Sequence, residues 1–390
     1  MTPVDLSRTV LHAVRRAVDE DALRAPVPAR VRIERTRPGG SGDYACAVAL
    51  QLAGPAALPA LEVARILRDR VAAEPGIGRV DVTGPGFLSF TLDAGADTAA
   101  RRAVVREVRE RGLRYGHGDA LRAEVLQFRH AREVRAAVGA HAVRALVVSQ
   151  GARVRISCDE APDPDWERLG VGVDAHGIPP APLTAIRPVP AGAEAGELLE
   201  RLGPDATRWG LLRPAGHDRA PLGDDLLVQG EANALFLVRY AHSRARSLTR
   251  GAALLGFDGA YDTGADPYDP YAYGTDTGAY GTDTGAYGTD TGAYDADARH
   301  PDAHALLDLL ADHPGVLLAA ARHRAPDRLA RHLEAVARAF FAFHDSCPPL
   351  PMGDEKPSAA HRSRLALAEA AGTVLAGGLS LLGISAPEHL

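Results

Sequence analysis

The apolar spacing of this chain changes character near residue 197 and does not change back. Upstream of that point, helical and strand periods alternate. Downstream the spacing is helical, interrupted once by a stretch with almost no aliphatic residues. A period near 3.6 builds one face of a helix and a period of 2 builds one face of a strand, so the two halves cannot share one fold class. At 390 residues the chain has room for two or three domains. We therefore expect a multidomain protein in three parts. These are a small α/β N-terminal module over 1–95, a reduced α/β remnant with linker over 96–196, and an all-α helical bundle over 197–390.

Particular residues carry this reading. Val10, Val14 and Val18 recur at i, i+4 and i+8, with Leu11 alongside, after a Thr2-Pro3 helix start. Arg30–Thr36 alternates through Val31 and Ile33 as a half-buried strand does. Leu61, Ala64, Leu67 and Val71 make a second helix face. Val80 and Val82, then Leu88, Phe90 and Leu92, read as two strands about the turn Gly84-Pro85-Gly86. In the last third, Leu329, Leu333, Val336 and Phe340 line one helix, and Leu365 through Leu382 another.

The interruption spans 257–301. It holds GTDTGAY three times in tandem, at Gly274–Tyr280, Gly281–Tyr287 and Gly288–Tyr294. Such a stretch buries too little apolar surface to offset its ordering entropy, and the expectation is a disordered insertion. DNA slippage is the favoured account of the identical repeats, and a functional acidic lid the lesser alternative. Asp258–Asp302 carries ten aspartates and one arginine, and removing that −9 from the total of −6 leaves +3 elsewhere. A mildly basic folded part is compatible with RNA.

Composition and motifs exclude several chemistries. Cys46, Cys158 and Cys347 are few, odd in number and scattered, so neither a disulfide framework nor a CxxC metal site is expected. Lys356 is the one lysine among 44 basic residues, which removes a P-loop or an upstream Schiff-base lysine. No GxSxG elbow, HExxH or zinc-spaced Cys/His cluster occurs, and His130 and His141 read as structural histidines. No 18-residue apolar run or leader pattern is present, and a reduced, cytoplasmic protein without cofactor or metal is the expectation.

Three separated stretches are similar to the arginyl-tRNA synthetase family. Gly42-Asp43-Tyr44-Ala45 with Val82–Phe90 resembles the GDY…VxGPGFxxF pattern of its N-terminal additional domain. Gly203-Pro204-Asp205-Ala206-Thr207-Arg208-Trp209 resembles the GxDAxR stretch opening its DALR-type anticodon-binding domain, and Asn233–Arg244 resembles NPxxYVxYAHAR. Phe343–Cys347, Arg364–Ala368 and Leu382–Glu388 resemble the family's ending, FYNxC…RLAL…LLGVSAPE.

The departures fall on the catalytic signatures. Where the family has HIGH, this chain has Phe128-Arg129-His130-Ala131-Arg132-Glu133. His130 matches the first histidine, Arg132 replaces the glycine, and Glu133 replaces the second histidine with a carboxylate that repels phosphate. Where KMSKS belongs stands Thr184-Ala185-Ile186-Arg187-Pro188, without lysine. Some fifty residues between the two sites cannot complete a nucleotide-binding sheet.

The resemblance thus implies a noncatalytic tRNA-binding pseudo-synthetase that retains both RNA-binding ends. Two alternatives stay open: a protein–protein scaffold that binds a synthetase or another translation protein but no RNA, and a residual arginine–tRNA ligase using ATP. Neither DNA nor a membrane is an expected partner. The candidate RNA contacts are Phe87 or Ser89 for the tRNA elbow, and Tyr240, Arg244 and the C-terminal Leu390 for the anticodon loop. Arg239, Arg246 and Arg250 surround Tyr240 and add positive charge.

Overall fold

The computed structural model describes residues 3–36, 41–92, 94–177, 183–260 and 300–390. They fall into two compact units, Met1–Ala103 and Val104–Leu390.

In the first unit, α1 (Pro3–Asp19), α2 (Val48–Ala56) and α3 (Ala60–Val71) accompany a four-stranded antiparallel sheet. Its strands are β1 (Ile33–Arg35), β2 (Tyr44–Cys46), β3 (Ile77–Thr83) and β4 (Phe87–Leu92), in the order β1-β2-β4-β3. Leu6, Val10 and Val14 of α1, and Val63, Leu67 and Val71 of α3, are buried with Leu88, Phe90 and Leu92 of β4 in one apolar cluster. The Gly42-Asp43-Tyr44 motif is a structural clip. Asp43 Oδ2 accepts the Leu92 N–H at 2.9 Å, and the Asp43 N–H donates to the Phe90 carbonyl at 2.7 Å. Gly42 has φ of +77°, and a Cβ there would lie 2.6 Å from the Phe90 carbonyl oxygen.

In the second unit, α4 (Ala94–Arg111), begun in the first, leads to a βαβ crossover of β5 (Val125–His130), α5 (Val134–Ser149) and β6 (Arg153–Cys158). Two-residue strands β7 (Ala175–His176) and β8 (Thr184–Ala185) flank it, giving a parallel sheet in the order β7-β6-β5-β8. Five long helices follow: α6 (Ala195–Leu212), α7 (Ala234–Leu254), α8 (Pro301–His323), α9 (Pro326–Ser346) and α10 (Ala359–Leu382).

The boundary expected near 196 is not a packing boundary. One hydrophobic core runs from Val104 through Phe128, Val138, Leu198 and Leu333 to Ile384, so the remnant and the bundle share an interior. α5 is buried almost all round, as a helix enclosed between a sheet and other helices must be. α10 is long and apolar enough to cross a membrane by length and composition, but 72% of its apolar window is buried in the protein.

Two buried arginines staple the remnant to the bundle. Arg208, from the GPDATRW stretch, donates to the Leu382 carbonyl at 2.8 Å and the Leu169 carbonyl at 2.5 Å. Burial lowers its pKa to about 10. Gly383 turns with φ of +70°, where a Cβ would collide with that guanidinium. Arg135 donates to the carbonyls of Leu211, Val189, Asp218, Pro214 and Ala215. Guanidiniums held away from water need such partners to offset desolvation.

The limits expected for the insertion, 257–301, are corrected at both ends. Phe257 is buried in the core, with Arg362 above its ring and paired to Asp258 at 3.3 Å. At the other end, His300 caps α8, which starts at Pro301. Residues 261–299, with the repeat, lie outside the described residues.

Candidate functional site

Most of the candidate residues converge on α7. Asn233 caps this helix, its Oδ1 accepting from Leu235 at 3.0 Å and its Nδ2 donating to the carbonyls of Leu226 and Val228. Phe236 and Tyr240 then stand one turn apart on the same face. Tyr240 is 41% exposed, with its ring stacked between Phe236 (5.5 Å between centroids) and Phe341 of α9 (5.3 Å). One turn further, Arg244 donates from Nε to His344 Nε2 at 3.3 Å, while His344 Nδ1 lies 3.2 Å from Asp345 Oδ1. That order makes Nδ1 the protonated nitrogen. These side chains line a groove of about 630 Å³ with Glu231, Leu237 and Arg338. An aromatic ladder beside a guanidinium offers a stacking face and a phosphate donor together.

The other arginines of α7 do not join the groove. The C-terminal tail crosses the helix and occupies them. Ser385 donates its N–H to Asp205 Oδ1 at 2.9 Å and its hydroxyl to Asp205 Oδ2, and Arg239 reaches Ser385 Oγ at 3.3 Å. Arg246 pairs with Glu388 at 2.9 Å, and Arg250 donates to the Glu388 carbonyl at 3.4 Å. Leu390 is 54% exposed and lines a neighbouring cavity of about 300 Å³ with Asp205, Val228 and Arg239. Phe236 lines both hollows. Phe236, Phe341 and His344 were not singled out from the sequence. Phe236 was reachable by its i, i+4 spacing to Tyr240, whereas Phe341 and His344 depend on the packing of α9.

In the first unit, Phe87 is exposed at the start of β4. The expectation that Ser89 is a surface contact is corrected: it is 4% exposed. β4 is an inner strand, and Ser89 sits between Ala45 of β2 and Asp81 of β3. Its hydroxyl is 2.9 Å from that of Thr83.

The HIGH-like stretch ends β5 and opens α5. His130 is 1% exposed, with Nδ1 2.8 Å from the Ala131 carbonyl, Nε2 without a hydrogen-bond partner, and the Trp166 ring at 5.7 Å. Burial lowers its pKa, which keeps the imidazole neutral. Arg132 turns outward, donating to the Ala161 carbonyl at 3.0 Å. Glu133 caps α5: Oε2 accepts the Ala136 N–H at 2.7 Å and Oε1 the Ala191 N–H at 2.8 Å. A helix N-terminus after a parallel strand is where a phosphate would seat. Here the protein's own carboxylate takes those donors. His141, with Nδ1 3.4 Å from Arg208, has its pKa lowered to about 4 by burial and then by Arg208 and Arg144. No group of three metal-ligating side chains forms among the described residues.

Comparison with known proteins gives a consistent answer. The sequence profile of the arginyl tRNA synthetase N-terminal domain matches residues 5–92, and that of the DALR anticodon binding domain matches 283–390. The second match begins downstream of Gly203–Trp209 and Asn233–Arg244. A Frankia alni arginine–tRNA ligase is 27% identical over an alignment of 585 positions spanning all of both chains. That of Pseudarthrobacter chlorophenolicus is 35% identical over 198 residues, covering 50% of this chain and 31% of the relative. Among solved structures, the Thermus thermophilus arginyl-tRNA synthetase superposes with a TM-score of 0.64 at 14% identity, over all of both chains. The Plasmodium falciparum enzyme gives 0.63 at 9% identity, over all of this chain and 99% of its own. At those identities the likeness concerns the fold, a multidomain α/β architecture with a helical C-terminal region. Two matched domains in family order, together with a relative aligned along its whole length, make this 390-residue chain similar to the arginyl-tRNA synthetases at both of its ends.

Proposed function

We propose that this chain binds tRNA, an arginine acceptor among the candidates, and does not aminoacylate it. One observation carries the noncatalytic half: the Glu133 carboxylate sits at the α5 N-terminus, accepting the Ala136 N–H and tying the helix start to Ala191. A phosphate arriving there would meet a negative charge instead of free N–H groups. The reduced sheet supports the same reading, since β7 and β8 hold two residues each and Ile186-Arg187-Pro188, without lysine, follows β8 directly. The alignment with the Frankia alni enzyme needs 585 positions for 390 residues here, which is consistent with a shortened catalytic part.

The RNA half rests on the Phe236–Tyr240–Phe341 ladder with Arg244. In this reading an anticodon base packs against the exposed edge of Tyr240, Arg244 contacts phosphate, and Leu390 meets the loop from the neighbouring cavity. Phe87 supplies a separate contact at the elbow. Arginine-dependent pyrophosphate exchange, with ATP and total tRNA, should stay at background, while gel shifts of individual tRNAs should show a complex. Exchange above background would revive the ligase. A complex with no tRNA would leave the protein scaffold.

A further inference from the structure

We infer that the second unit holds a binding pocket for a phosphate-bearing anion, distinct from the aromatic groove. The cavity, about 450 Å³, opens where the end of β8, the end of α6 and the corner between α8 and α9 meet. Arg187, Arg324 and Arg328 line it, with His217 and His323. The three guanidiniums come from two segments, the end of β8 and the α8–α9 corner, are all exposed, and have no ion-pair partner among the described residues. One carboxylate, Asp327, also lines the pocket; it is buried and held by Arg331 at 2.5 Å. His217 lies 3.7 Å from Asp218. Arg135 sits in the wall with its donors filled by carbonyls, so its charge adds to the local field without needing a ligand.

One further feature bears on the same space. Arg324 adopts φ of +52°, one of three non-glycine residues with positive φ among those described. Glycine is the ordinary choice at that helix end. An arginine held in this strained conformation, its guanidinium 5.4 Å from the Phe128 ring centroid, is placed at the cavity rather than free in solvent.

The ligand chemistry follows from the donors. Guanidinium forks match phosphoryl oxygens two by two, and three of them suit two linked phosphates better than a single carboxylate. None of His130, Arg132, Glu133, Tyr240 or Arg244 lines this cavity. The anion is a free oligophosphate or the backbone of a bound RNA. Only the second source rests on the tRNA reading.

Calorimetric titration of the full chain with inorganic pyrophosphate at low ionic strength tests the pocket. Wild type should bind saturably, and Arg324→Gly, Arg187→Ala and Arg328→Ala should each weaken binding by about tenfold. Arg324→Gly relieves the backbone and should melt no lower than wild type, so its loss of binding cannot be blamed on unfolding. Tyr240→Ala should leave pyrophosphate binding unchanged, which separates this pocket from the groove. A parallel filter-binding arm with tRNA identifies the source. A matching loss in Arg324→Gly assigns the pocket to RNA backbone, and unaltered tRNA affinity assigns it to a free oligophosphate. No saturable pyrophosphate binding by wild type, or equal binding by all three variants, overturns the proposal.

Discussion

Tyr240 satisfies two demands on one ring. Its flanks are packed by Phe236 and Phe341 while the remaining surface faces the groove. Of the two readings open from the sequence, the packed tyrosine is met by Phe236 and Phe341, and the RNA-facing one stays a proposal. Tyr240→Ala should weaken tRNA binding by about 1–3 kcal/mol with little change of salt dependence, since stacking is not a counterion effect. Arg244→Ala should instead lower the slope of log affinity against log salt by about one. Filter binding across a salt series checks both. Glu133→Ala should destabilise the fold by about 1–2 kcal/mol in urea melts, the usual worth of a lost helix cap. The charge-repelling role of Glu133 was visible in the sequence. Its tie to Ala191 was not, because that residue lies 58 positions away in the chain. Arg239, Arg246 and Arg250 misled for the same reason: their partners are tail residues some 140 positions distant.

At the scale of elements, long amphipathic helices were legible and very short strands were not. α1, α3, α9 and α10 announce themselves by spacing, while β2, β7 and β8 hold two or three residues, too few for a period of two to register. The pairing of α8 with α9 carries a pH dependence. His313 and His332 are buried with ring centroids 5.2 Å apart, and Tyr115 stacks on His313. Neither His313 Nδ1 nor His332 Nε2 has a hydrogen-bond partner. Burial lowers the His332 pKa to about 4 and holds His313 well below its ordinary value, with the charges of His332 and His117 adding to the latter. The unfolded chain thus takes up protons before the folded one does. Stability should be full above pH 6.5 and be lost as pH falls toward 4, with His332 alone contributing about 3 kcal/mol of that loss. Urea unfolding at pH 7 and pH 4.5 checks it: wild type should lose more stability on acidification than His332→Leu.

Across the whole molecule, motifs distant in sequence turn out to be contacts of one another. Asp205 holds Ser385, and Arg208 holds the Leu382 carbonyl. Their joint appearance at opposite ends of the second unit reported the fold more directly than the function. The merging of remnant and bundle was illegible because it depends on which faces of α5 are covered, and its even apolar spread gives no direction. Charge at this scale yields a further expectation. Replacing the acid-rich 261–299 with a short Gly-Ser linker should tighten tRNA binding modestly at low salt, an effect that vanishes as screening increases.

The central claim is that this chain, similar at both ends to the arginyl-tRNA synthetases, holds tRNA through the Tyr240 groove. Filter binding of labelled individual tRNAs to wild type and Tyr240→Ala at low salt tests it most directly. The account predicts saturable retention of at least one tRNA by wild type, falling as salt rises, and clearly weaker retention by the variant. No retention by wild type, or equal retention by both proteins, would contradict it.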